Sequence, residues 1–179
     1  AISKLIDQYQ IPTGGSSNFV LQWAGGQQQF AHAEKTKAAS DYETAAQTLL
    51  QAVRSPDAKT LAGPAARCRY TLGWCFFRLS RFEEAAREFG NAFPALNEGK
   101  DQLAVEAAWM AIAASRTLSD SQPRFVTNAN DAHRRLQQHF PEHRYTQRAG
   151  YELTKLLEKT DPETMIKQLE SVTPGNENY

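Results

Sequence analysis

Residues 65–92, AARCRYTLGWCFFRLSRFEEAAREFGNA, decide how the rest of the chain is read. The spacing predicts two helices joined by a tight turn. In the first, over 65–79, Tyr70, Leu72, Trp74, Cys75, Phe76, Phe77 and Leu79 surround the axis instead of forming one stripe, the pattern of a helix buried on several sides. In the second, over 81–93, Phe82, Ala85, Ala86, Phe89 and Phe93 recur at threes and fours. Glu83, Glu84, Arg87 and Glu88 fall between them, so this helix is expected to keep one wet face.

At these residues the chain resembles the tetratricopeptide repeat, a helical hairpin marked by Leu-Gly, an aromatic and later Ala-x3-Phe. Leu72, Gly73, Phe76, Ala85 and Phe89 match in order and spacing, and Phe82 and Ala92 stand where the family carries an aromatic and a small residue. Arg69 departs from the pattern where an aromatic is common, and Pro94 comes earlier than the family's proline. The resemblance implies an all-α, tetratricopeptide-like array of antiparallel helical hairpins, an α-α superhelix. Gly73 and Ala85 would lie where paired helices cross, since larger side chains would push the axes beyond about 8–10 Å.

Working outward, Tyr42, Ala45, Leu49 and Ala52 repeat Phe82, Ala85, Phe89 and Ala92 at an offset of 40 residues. That register puts Ala33 in the place of Gly73 and predicts a hairpin over 27–54, with helices at 27–39 and 42–53. Ahead of it, 1–26 reads as an N-terminal segment. It holds a short helix at 3–10, the loop opened by Ile11-Pro12, and the apolar run FVLQWA, which Gly25-Gly26 is expected to interrupt. The turn-rich RSPDAKTLAGP absorbs the excess over the usual repeat length. Beyond the central hairpin (65–96) a third spans 101–140 and a polar capping hairpin 144–172, opened in its second arm by Asp161-Pro162. One array over 1–179 is the expected organisation.

Twenty basic and twenty acidic side chains cancel, leaving no global field for nucleic acid or an anionic membrane. No window approaches the roughly 20 apolar residues of a membrane span. The chain begins without methionine or a signal-like pattern, so it is expected to be a processed or excised piece. Cytoplasm and bacterial periplasm or envelope are both expected compartments, the latter from the Phe140-Pro141 step that resembles envelope tetratricopeptide proteins. Cys68 and Cys75, about 10 Å apart along one helix, are too distant to pair and read as buried hydrophobes.

No phosphate loop, HExxH or nucleophile elbow is present, and Pro141 breaks the helical spacing of His139 and His143. The expectation is a chain that is not an enzyme and uses no cofactor or metal. A stripe on the central hairpin stands out: Tyr70, Trp74, Phe77, Arg78 and Arg81. The resemblance puts Tyr70, Trp74, Phe77 and Arg78 on the groove lining, with Phe30, Glu34 and Lys37 as counterparts one hairpin earlier. Rings supply area and guanidinium groups bind carboxylates, so a peptide or partner domain with apolar and acidic side chains would suit it. The competing expectation is that residues 19–23 fill that groove from within. The function expected is a protein-interaction scaffold. The alternative is an accessory, oligomerisation or ligand-sensing piece of a larger polypeptide, with self-association left open.

Overall fold

The computed structural model describes residues 18–119, 124–160 and 163, and every regular element among them is helical. Helices α1 (Asn18–Thr36) and α2 (Ala39–Arg54) lead into a 3-10 turn (Pro56–Thr60). Then come α3 (Ala62–Arg78), α4 (Phe82–Glu98), α5 (Leu103–Ser119), α6 (Arg124–His139) and α7 (Arg144–Thr160). The helix expected at 3–10, most of the loop after α5 and the second arm of the last hairpin lie outside the described residues.

Each helix packs chiefly on its neighbours in sequence. The bends between them share a backbone solution: Lys37, Ser80 and Lys100 each take a left-handed φ of 52–58°. At two of the bends the amide beyond that residue reaches back to close the last turn, Arg81 N to Phe76 O at 2.9 Å and Asp101 N to Leu96 O at 2.8 Å. The chain therefore reverses. Phe30 meets the Tyr42 ring across the first bend, and Phe77 meets Phe82 across the second.

Side-chain links then sort the helices into two layers. Gln27 Nε2 donates to Thr71 Oγ1 at 3.0 Å and Arg78 Nε to Glu34 Oε1 at 3.0 Å, so α1 and α3 run parallel in one register. Arg67 reaches Asp101 just before α5, and Trp109 of α5 stacks on Tyr145 of α7. These four odd-numbered helices form one layer. In the other, Arg135 of α6 reaches Gly90 O of α4, and Asn97 of α4 pairs with His139 of α6. Leu49, Leu72, Phe89, Leu96, Ile112 and Leu136 are fully buried between the layers, each worth about 1.5–3 kcal/mol of transfer free energy.

Three local readings are corrected. Gly25-Gly26 does not interrupt: α1 runs through both, because a Cβ on Gly26 would lie 2.5 Å from Leu49 Cδ2 and the missing side chain lets α1 settle onto α2. Helix α4 does not stop at Phe93 but continues through Pro94 to Glu98. Proline removes the amide that Gly90 O would accept, and the Arg135 guanidinium donates to that oxygen instead at 3.3 Å. Glu88 is not on a wet face. It is 3% exposed and accepts from Arg69 at 2.8 Å and Arg87 at 3.2 Å, so the residue that departs from the repeat pattern, Arg69, neutralises a buried carboxylate.

Candidate functional site

The α3 stripe forms a continuous run of rings. Trp74 stands edge-on to Tyr70, Phe77 and Phe89, with centroids 6.5, 5.7 and 5.8 Å away. Phe89 is buried beneath them, whereas Tyr70, Trp74 and Phe77 are half-buried, one flank packed and one open. Their position follows from the crossing: with Gly73 pressed against the Phe89 ring, Tyr70 and Trp74 gather over Phe89 and Phe77 over Phe82.

Arg78 lies with its guanidinium 5.5 Å from the Trp74 ring centre and donates to Glu34. Glu34 also accepts from Lys37 Nζ at 2.6 Å and from the Tyr42 hydroxyl at 2.7 Å. These donors, Lys37 foremost, hold its carboxyl down to about 2 from an ordinary value of 4.5. Glu34 thus meets both Arg78 and Lys37, one carboxylate against two cations, so the cluster keeps a positive charge. Phe30, half-buried, leans on Tyr42.

Arg81 does not join this set. It pairs with Glu43 of α2 at 3.1 Å and with Glu84, and its guanidinium sits 4.5 Å over Phe76. The left-handed Ser80 ahead of it has already turned the chain toward the even-numbered layer.

The face extends farther than the stripe. Burial pushes the Tyr70 hydroxyl well above the ordinary phenol range, and the nearby Glu106 carboxylate of α5 adds to the effect. Trp109 and Tyr145 stack at 5.4 Å with planes only 12° apart, and Arg148 lies 5.1 Å from the Trp109 centroid. Arg116 closes the same layer onto Glu152. Trp109 and Tyr145 carried no spacing signal, since they sit in different helices and meet only when α5 and α7 become neighbours.

Residues 19–23 do not cover the α3 rings. Phe19 and Trp23 stack on one another at 5.6 Å, both buried, and Phe19 N donates to Asp57 in the 3-10 turn. The α1–α3 register sets them level with residues 63–67, about two turns from Trp74.

For bond-making chemistry the described residues hold little. Burial raises both thiols, Cys75 to about 12. His139 bonds Asn97, His143 Nδ1 accepts from the Tyr145 amide, and no three of His, Cys, Asp or Glu converge as metal ligands among the described residues. No described helix is long and apolar enough to cross a membrane. Comparison with protein-family models, curated proteins and solved structures returns no match.

Proposed function

We propose that this chain is a protein-interaction scaffold of tetratricopeptide-like build, docking a peptide or partner domain on the face made by its odd-numbered helices. The Leu72, Gly73, Phe76, Ala85 and Phe89 pattern supports the repeat-like reading, because Leu72, Gly73, Phe76, Ala85 and Phe89 are all buried in the hairpin that carries them.

The observation that carries the docking reading is the run of half-open rings, Tyr70, Trp74, Phe77, Trp109 and Tyr145, across three helices and edged by Arg78 and Arg148. Wet aromatic area of this kind gains on being covered, and Trp and Tyr dominate interface energetics. Arg78 shares Glu34 with Lys37 and Arg148 lies over Trp109, so the partner is recognised through apolar side chains with acidic groups at their edge.

Affinity capture from the native source tests this. Trp74→Ala and Trp109→Ala are each expected to weaken capture by about tenfold or more, roughly 2 kcal/mol at a hot spot. Variants that keep their helical content and capture the same partner unchanged reject this face. Native mass measured on dilution separates a foreign partner from a second copy of the chain.

A further inference from the structure

The two ends of the odd-numbered face differ in how their charges are engaged. At the α1 end Arg78 and Lys37 already share the Glu34 carboxylate, and in the middle Glu106 stands near Tyr70. A carboxylate arriving there would compete with Glu34 and be repelled by both acids.

The α7 end is open to one. Arg144 and Arg148 are exposed, and neither pairs with a carboxylate among the described residues. Glu152, one turn beyond Arg148, is bonded to Arg116 instead.

Rings hold both guanidinium groups. That of Arg144 lies 5.1 Å from the centre of Tyr145 and that of Arg148 lies 5.1 Å from the centre of Trp109, the two rings being the stacked pair. A guanidinium fixed through its flat face keeps the donors at its edge for another group, and a carboxylate can meet two of them at once. Because the rings already confine these side chains, less of their freedom is lost on binding.

The reach of the face sets the length of what covers it. From α3 to α7 is two interaxial steps, roughly 16–20 Å, which is also about six steps of extended chain. In an extended segment every second side chain falls on the same side, so four of seven can meet the face.

We infer, on the strength of the docking face proposed above, that its partner is an extended acidic segment lying in one direction across the helices. Two carboxylates sit on Arg144 and Arg148 at the α7 end, and apolar side chains cover Trp109 and then Trp74 toward α3.

Two heptapeptides blocked at both ends, Leu-Ser-Leu-Ser-Glu-Ser-Glu and the same residues in reverse order, test this in calorimetric titrations of the whole chain, beside forms with glutamine for glutamate. One order of the acidic peptide is expected to bind about tenfold more tightly than its glutamine form in dilute buffer, as two exposed ion pairs allow. That advantage should shrink at ~1 M salt, where charges are screened within about 3 Å. Arg144→Gln/Arg148→Gln should lose it, whereas Lys59→Gln/Arg134→Gln, of equal net charge and on no odd-numbered helix, should keep it. Acidic and glutamine forms that bind alike, or an advantage that survives in folded Arg144→Gln/Arg148→Gln, would overturn the acidic assignment. If Trp74→Ala still weakens both forms in that case, the ring face itself stands. No binding of any of these peptides at ~10 mM would overturn both.

Discussion

Hairpins α1–α2 and α3–α4 bring two helices together with the same device placed at different heights. In α3–α4 the close approach is Gly73 against Phe89, seven residues before the left-handed Ser80. In α1–α2 it is Gly26 against Leu49, eleven residues before the left-handed Lys37, one further helical turn from the bend. A crossing glycine must face inward, but it can move by whole turns along the helix and still do so. The second arms stay aligned at an offset of 40, with Ala45 and Leu49 as buried as Ala85 and Phe89, while the first arms do not.

The largest expected break in this comparison removes what only the second hairpin has. Arg69→Leu strands Glu88 with Arg87 alone and should cost about 3 kcal/mol, the low end for breaking a buried pair. Chemical denaturation reads it, and adding Glu88→Leu should recover most of the loss. Next, Gly26→Ala should destabilise by about 1–2 kcal/mol by overpacking against Leu49, although alanine is the better helix former. Gly90→Ala, facing open space in α4, should instead stabilise by up to about 1 kcal/mol. Opposite signs at two helical glycines, read from thermal midpoints, separate packing from propensity.

The bends sharpen the likeness between the hairpins. Ser80→Gly and Lys37→Gly should each gain about 0.5–1 kcal/mol, because both positions hold a left-handed φ that costs an L side chain. Unequal gains would mean that loss of the Lys37 contact with Glu34 offsets the backbone relief. The smallest effect concerns that carboxylate, which ties the hairpins through Arg78. Its folded value of about 2 lies below its ordinary 4.5, so its stabilisation is complete above about pH 4.5 and drains as the pH falls toward 2. Between these values the parent should lose stability faster than Glu34→Gln in acid titrations followed by circular dichroism.

The helices were legible because their apolar periodicity is local. So was the burial of Leu72, Gly73, Phe76 and Phe89, whose identities are fixed by contacts within one hairpin. What escaped is what two distant segments decide together. Gly25-Gly26 reads as a breaker until Leu49 is seen to need the space. Pro94 reads as a stop until Arg135, 41 residues on, replaces the missing donor. Glu88 reads as wet until Arg69 faces it. Of the candidate face, the α3 rings and Arg78 were readable from one helix, whereas Trp109 and Tyr145 joined it only through the α5–α7 contact, and Arg81 left it at the Ser80 bend.

Helix nesting at side-chain-free crossings is what sets the layers, and with them the open ring face. Stability of Gly73→Ala measured beside the double variant Gly73→Ala/Phe89→Leu tests it most directly, since a Cβ at 73 would lie 2.9 Å from the Phe89 ring. The account predicts a loss of about 1–2 kcal/mol in the single variant, and a smaller penalty for adding the same methyl once the ring is gone. A Gly73→Ala protein more stable than its parent, as helix propensity alone would have it, would contradict it.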